Sequence, residues 1–526
     1  MQKLLQKNKI IKYVCFAVSG VVTCLTLIFP AIGFLEWISM IPAAAAFIWL
    51  AENENVGYGR MYKYGFVYFM SFYLTAFHWF LALYPLSFVD GFTNGTAALV
   101  VTLGWVGLSL LQGSVSALVP VLIALVARRG ICKRMRILIP VGAAAIYTVF
   151  EWMQTLTWAG VPFTRLAIGQ TESAAMLKTA SLLGSYLITF LIVGVNFCFA
   201  LGLLTDAKQK RKICVAAATL TVALNGVVGG LLILADNGIT EEKFVAAAIQ
   251  PNIGMDEKWS TGLALTNERL EKYCAEAKER GAKLIVMPES TYPTEILGSG
   301  YNIKFLKELA VKCDATLVVG CFTDDGENDY NSLIFIDPEG NVSDTVYSKR
   351  RLVPFGEFVP MRDFFTAIIP ALTEISMLEE DLTPGDGSAI YDSKVGRLGS
   401  LICFDSIYES LTLESVRDGA EIMMISSNDA WFLDSAGVEL HNSQARIRAV
   451  EVGRYFVRSA NTGISTMIDP CGRVLDREEA LVDGYVVAEI AARSNRTLYS
   501  YVGNLLVWLS MVFIAVALFD IKKNKL

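Results

Sequence analysis

Long apolar runs set the first limit on how this chain can fold. A helix needs about 20 mostly apolar residues to cross a bilayer. Runs of that kind stand at 13–30, 34–51, 64–83, 97–127, 137–155, 182–204 and 213–235, with another at 502–520. In lipid every backbone amide must be satisfied within its own segment, so these runs are predicted to be helices. The first is not a removable leader, because six more spans follow it and no small-residue cleavage site closes it. The expected architecture is a polytopic α-helical membrane protein of about eight spans.

Orientation follows from where the cations fall. Lys3, Lys7, Lys9 and Lys12 precede the first span, and Arg60 and Lys63 follow the second. Arg128, Arg129, Lys133, Arg134 and Arg136 follow the fourth, Lys208, Lys210, Arg211 and Lys212 the sixth, and Lys522, Lys523 and Lys525 the last. The alternate loops are nearly free of Lys and Arg. The positive-inside bias then places both termini in the cytoplasm and residues 240–496 on the outer face. Glu36 and Glu151 are the sparse charges within the spans, and both read as interfacial carboxylates near span ends.

The charge balance changes near Asp236. The chain as a whole is 54% hydrophobic and 18% charged, but residues 240–496 have the charge density of a soluble protein. Three parts are expected: a seven-span bundle at 1–236, a soluble domain at 240–496, and a final helix with a basic tail at 500–526. A net charge of −6 argues against a nucleic-acid partner. The ten cysteines have no paired spacing, and there are only two histidines, His78 and His441. No metal site is expected, and a His-based triad would rest on His441 alone, which reads as a structural residue at a helix start.

The soluble part alternates short apolar runs with helical patterns. Strands are predicted at 243–250, 283–289, 315–322, 331–337, 397–404, 421–427, 455–460 and 464–469, with one more ending near Tyr347. Helices are predicted at 264–280, 303–313, 406–418 and 438–453. Such alternation implies a layered α/β sandwich with a mixed sheet and functional groups at strand ends. Residues 361–383, apolar and broken by Pro370, read either as a helical excursion packed on the sandwich or as a flap dipping into the lipid interface.

Three strand ends carry reactive groups: Glu289 in MPES, Lys349 in YSKRRLVPFGE, and Cys403 in SLICFDS. A thiol at a sharp strand-to-helix bend, near a helix N-terminus, is expected to have a lowered pKa. A carboxylate to take its proton and an amine to hold an oxyanion complete the parts of acyl transfer through a thioester. Glu357, eight residues beyond Lys349, is placed to orient that lysine or a substrate amine.

In this order and setting, Glu289, Lys349 and Cys403 resemble the Glu-Lys-Cys triad of the nitrilase superfamily, with its α-β-β-α sandwich. QPNIGMDEKW (250–259), VPFGE within 347–360, SNDAWF (427–432), HNSQARIRAVEVGR (441–454) and RSANTG (458–463) resemble the apolipoprotein N-acyltransferase family over nearly the whole chain. The resemblance implies ping-pong transfer of an acyl chain from a phospholipid, through a Cys403 thioester, to the N-terminal amine of a diacylglyceryl-modified lipoprotein, with no cofactor. It also implies supporting or substrate-binding roles for Trp259, Phe404, Asp405, Asn428 and Trp431. The chain departs from the family pattern at Phe404-Asp405, where Tyr-Glu is common, in the loop 159–170, and at Arg351, where His is frequent. A membrane-anchored amidase or another lipid acyltransferase remains an alternative reading of the same residues. A non-enzymatic receptor or transporter with a degenerate domain is a third.

Overall fold

The computed structural model describes residues 9–86, 93–239, 242–254, 262–298, 300–368 and 381–519. The chain folds as two compact units, Met1–Leu81 with Val100–Asn237 and Tyr501–Leu526, and Ala82–Leu99 with Gly238–Ser500.

Six described helices are long and apolar enough to cross a membrane: Ile10–Ile28, Pro30–Glu52, Asn94–Arg128, Arg136–Met153, Ser185–Leu203 and Lys208–Asn237. Two expected spans do not reach that standard. Residues 64–83 form the helix Tyr58–Ala76 and then the 3-10 turn His78–Leu83. That helix carries five tyrosines, and it buries Tyr64, Tyr68, Phe69, Phe72 and Tyr73 rather than presenting an apolar surface all round. The final apolar run gives a helix of only 14 residues, Leu505–Leu518, whose Trp508 ring lies 5.4 Å from that of Trp152.

Glu36 and Glu151 lie near the ends of their helices, but neither faces outward from its unit. Both are buried inside their unit, because each accepts hydrogen bonds from the segment 165–170 or its neighbours. Glu151 takes the Leu166 amide at 2.9 Å and the Thr189 hydroxyl at 2.7 Å. Glu36 takes the Gln170 amide at 2.8 Å, and Gln170 accepts in turn from the Trp37 indole. Arg165, fully buried, lies over the Tyr186 ring. Burying polar groups is costly unless they are hydrogen-bonded, and these bonds tie the 165–170 segment into the bundle.

The second unit is built on two six-stranded sheets. The first contains β1 (Lys243–Gln250), β2 (Ala282–Val286), β3 (Thr316–Asp324), β4 (Asp329–Ile336) and β5 (Val342–Ser348). The second contains β6 (Ile390–Ser393), β7 (Gly396–Ile402), β8 (Ile422–Ser427), β9 (Tyr455–Ala460), β10 (Ser465–Ile468) and β11 (Val474–Glu478). β12 (Gly484–Ala491) returns to the first sheet. The orders are β12-β1-β2-β3-β4-β5 and β11-β10-β9-β8-β7-β6. Each sheet has a parallel trio at its centre, β1-β2-β3 or β7-β8-β9, flanked by antiparallel strands.

Strand periodicity explains the layering, because successive side chains point to opposite faces. In β1, Ala246 and Ala248 enter the core between the sheets with Leu284, Val318, Phe335, Leu398, Met424 and Val457. Ala247 and Ile249 face the other way, onto Leu270, Cys274, Leu306 and Ala310 of the helices Gly262–Glu279 and Gly300–Cys313. Helices Glu409–Arg417 and Ala436–Val452 cover the second sheet. The result is an α-β-β-α sandwich. Buried on both faces, the central strands are nearly continuous apolar runs, which is why they stand out in the sequence.

Candidate active site

Strand ends from both sheets converge on one place. Glu289 follows β2, Lys349 follows β5, Cys403 follows β7 and Asn428 follows β8. Lys349 is buried, with its Nζ donating to Glu289 Oε1 at 2.7 Å and to Glu357 Oε1 at 2.9 Å. Asn331 Nδ2 bridges the same two oxygens at 2.8 and 2.9 Å. The outer oxygens are satisfied by backbone: Asn428 N donates to Glu289 Oε2 and Val353 N to Glu357 Oε2, both at 2.8 Å. Burial by itself would lower the lysine pKa, but Glu289 and Glu357 outweigh it and hold the ammonium well above its ordinary value. The charged Lys349 is therefore fixed in position.

Cys403 opens a 3-10 turn, Cys403–Ile407, with φ of +46°. Non-glycine residues avoid that region, at a cost of about 1–2 kcal/mol. Its carbonyl oxygen is held by the Ser406 hydroxyl at 2.7 Å and faces His441 Nε2 at 3.1 Å. His441 Nδ1 donates to Asp429 Oδ1 at 2.8 Å, while Arg458 Nη2 donates to Asp429 Oδ2 at 2.6 Å. This fully buried group fixes the strained turn from behind. Arg458 and His441 hold the Asp429 carboxyl well below the usual carboxylate range despite its burial.

The thiol differs from the sequence expectation. The α-helix begins only at Glu409, so no helix N-terminus stabilises a thiolate at Cys403. Burial pushes the thiol up, Glu289 adds to the rise, and Lys349 and a hydrogen bond with Ser427 pull against it.

Asp405 is a staple. Its carboxylate accepts from the Tyr347 hydroxyl at 2.8 Å, the Arg351 amide at 2.7 Å, the Arg350 amide at 3.2 Å and the Ile402 amide at 3.1 Å. It thereby joins the Cys403 turn to the lysine loop. Burial raises its pKa to about 6 even against Lys349 and these donors. The Phe404 ring meets Tyr408 edge-on at 5.4 Å. Asn428 serves through its backbone, its side-chain oxygen accepting from Asn461 at 3.2 Å. Trp431 is half-buried on the following turn, Ala430–Phe432. Trp259 and residues 369–380 of the excursion lie outside the described residues. The two feet of the excursion are described: Arg362 pairs with Asp381, and Leu382 N donates to Glu357 O at 3.0 Å.

Asn331, Asp429, Arg458 and Ser427 were not marked by sequence reasoning. Asn331 opens the NSLIFID run, and the others fall within SNDAWF and RSANTG or beside them, but only the folded geometry turns them toward Glu289 and Cys403. His441 keeps its expected structural role, although it lies within the helix Ala436–Val452 rather than at its start. Sγ of Cys403 also lies close to Asp429 and His441. Those two side chains already meet each other at 2.8 Å, and Asp429 also accepts from Arg458.

A sandwich of this layering, with a buried carboxylate, ammonium and thiol at converging strand ends, defines a carbon-nitrogen hydrolase type of domain joined to membrane helices. The family profile described as carbon-nitrogen hydrolase matches residues 245–498, and that of the apolipoprotein N-acyltransferase N-terminal domain matches 19–198. The apolipoprotein N-acyltransferase of Bradyrhizobium diazoefficiens is 30% identical, over 69% of this chain and 69% of that protein. Those of Geobacter metallireducens and Thermotoga maritima are 27% and 28% identical, each over 92% of their own length. The chain belongs to the apolipoprotein N-acyltransferase family, and it is a membrane acyltransferase.

Proposed function

We propose that residues 240–496 carry out N-acylation of lipoproteins at the outer face of a bacterial inner membrane, anchored by the helices of 1–236 and 500–526. Cys403 is the nucleophile, Glu289 the general base and Lys349 the oxyanion donor. The donor is a membrane phospholipid and the acceptor the α-amine of a diacylglyceryl-cysteine.

The observation that carries this reading is the buried Glu289–Lys349–Glu357 bridge beside the Cys403 turn. Glu289 takes the thiol proton as sulfur attacks the sn-1 ester carbonyl. Lys349 Nζ and backbone N–H groups receive the charge that develops on the carbonyl oxygen. The C–O bond breaks, the glycerol oxygen takes the proton from Glu289, and lysophospholipid leaves a thioester on sulfur. The acceptor amine then attacks, Glu289 accepts its proton, and the thiol returns as the amide forms.

Because each proton passes between neighbouring groups inside the site, from sulfur or amine to Glu289 and on to the leaving group, no step adds a net charge to the buried site. A low-dielectric site tolerates such a shift far better than a new charge. Glu357 and Asn331 orient Lys349 and Glu289, and Asp405 keeps the lysine loop in register with the nucleophile turn. Mass measurement of a synthetic diacylglyceryl lipopeptide, incubated with enzyme and phospholipid, tests the reading. One added acyl group on the N-terminal amine is the expected product. Release of free fatty acid with an unchanged lipopeptide would make the protein a hydrolase instead.

A further inference from the structure

The Lys349-Arg350-Arg351 run contains one cation that this chemistry does not use. Lys349 is clamped between two carboxylates, and Arg350 pairs with Glu414 at 3.0 Å. Arg351 is half-exposed and makes no ion pair among the described residues. It is nonetheless held firmly. Its backbone amide donates to Asp405 at 2.7 Å, and its guanidinium carbon lies 4.9 Å from the centre of the Tyr408 ring. Tyr408 meets Phe404, the residue after the nucleophile. Arg351 is thus fastened at both ends to the turn that presents Cys403, with its forked donors unspent.

A guanidinium laid on an aromatic face is rigid and weakly hydrated, and it suits a phosphate better than a compact ammonium does. The surroundings call for such a cation, because the Glu289–Lys349–Glu357 group has more carboxylates than ammoniums and Asp405 adds another. An anionic substrate entering beside them is repelled unless a positive group meets it. The acceptor offers a cationic or neutral amine and the acyl chain offers nothing polar. The phosphodiester of the donor is the anion that lies a glycerol's length from the reacting ester.

We propose that Arg351 binds the donor phosphate and so seats the sn-1 ester over Cys403. This inference rests on the phospholipid-donor reading. It makes Arg351 a specificity determinant for glycerophospholipids over phosphate-free glycerides, with little choice among headgroups.

Single-turnover acyl-enzyme formation, followed by intact mass with no acceptor present, isolates the donor half-reaction. The full-length protein is compared in the same detergent micelles with dioleoylphosphatidylglycerol and with dioleoylglycerol. In Arg351→Gln the preference for the phospholipid is expected to fall about tenfold or more, mainly through KM, as suits a lost charged hydrogen bond. Arg351→Lys should recover part of that preference. High salt should erode the wild-type preference and leave that of Arg351→Gln unchanged. Equal losses on both donors would assign Arg351 a packing role through Tyr408, and an unchanged preference would show that it does not touch the donor; either result overturns the inference. If wild-type enzyme were acylated by dioleoylglycerol and never by the phospholipid, the donor reading itself would fall, and the role of Arg351 with it.

Discussion

Replacing Lys349 with Met separates the electrostatic and catalytic tasks of the buried bridge. The ammonium is the only cation between Glu289 and Glu357 among the described residues, and only Asn331 would still link their inner oxygens. Removing one partner from a buried ion pair costs about 3–5 kcal/mol, a large share of the roughly 5–15 kcal/mol that holds a typical domain folded. The two carboxylates are then left facing each other without their shared cation, which displaces Glu289 from the place a base must hold. Loss of the oxyanion donor costs a further factor of about 100 to 1000. Lys349→Met is therefore expected to melt at a lower temperature and to form acyl-enzyme at least about 1000-fold more slowly. The double variant Lys349→Met/Glu357→Gln removes the surplus charge. It should regain most of the thermal stability, read by melting in detergent, while acyl-enzyme formation stays at least about 100-fold down. Acylation by the double variant within tenfold of wild type would refute the oxyanion assignment and leave Lys349 a purely structural cation.

Glu289→Gln keeps an acceptor for Lys349 but cannot take a proton, so both acylation and alkylation of Cys403 near neutral pH should slow; alkylation at the wild-type rate would remove Glu289 as the base. A Cβ added at Gly320 would collide with the Pro288 carbonyl oxygen and stand 2.9 Å from Glu289 Cα, so Gly320→Ala should cost about 100-fold in acylation by misplacing the base, and an unchanged rate would show the strand end to be more pliant than its packing implies. Asp405, with its pKa raised from 3.8 to about 6, binds a proton in the folded state that the unfolded chain releases. Its stabilising share, about 3 kcal/mol for such a shift, is present below pH 3.8 and lost as pH rises through 6. Function runs the other way, because only the ionised carboxylate accepts from all its donors: activity should show an acid limb near pH 6 that Asp405→Asn lacks, and a limb that persists in that variant would locate the titration elsewhere.

Much of the sandwich was legible because its central strands are buried on both faces. KFVAAAIQ and EIMMISS can hardly be anything else, and β1 and β8 fall almost where their apolar runs do. β6, β11 and β12 were missed: IYDS and VLDRE lie at sheet edges with half-exposed, mixed side chains, and GYVVAEIA follows a turn-rich stretch with no sharp boundary. The three candidate residues Glu289, Lys349 and Cys403 stood out because each closes a strand within a distinctive motif. Their supports did not, because Asn331, Asp429 and Arg458 act across the fold, where local pattern carries no distance information. The thiol was misjudged for a related reason. A strand-to-helix bend suggests a helix dipole, but the chain inserts a 3-10 turn and desolvation then dominates. The burial of Glu36 and Glu151 was not legible either, since position within a span says nothing about which loop folds back to meet a carboxylate.

The central claim is that Cys403 carries the acyl group between donor and acceptor. Intact-mass and peptide-level analysis of purified protein mixed with dioleoylphosphatidylglycerol tests it most directly. The expected result is one oleoyl group on Cys403, labile to hydroxylamine, discharged when a diacylglyceryl lipopeptide is added, and absent from Cys403→Ala. Full lipopeptide acylation by Cys403→Ala, or an acyl group on any residue other than Cys403 that turns over at the catalytic rate, would contradict it.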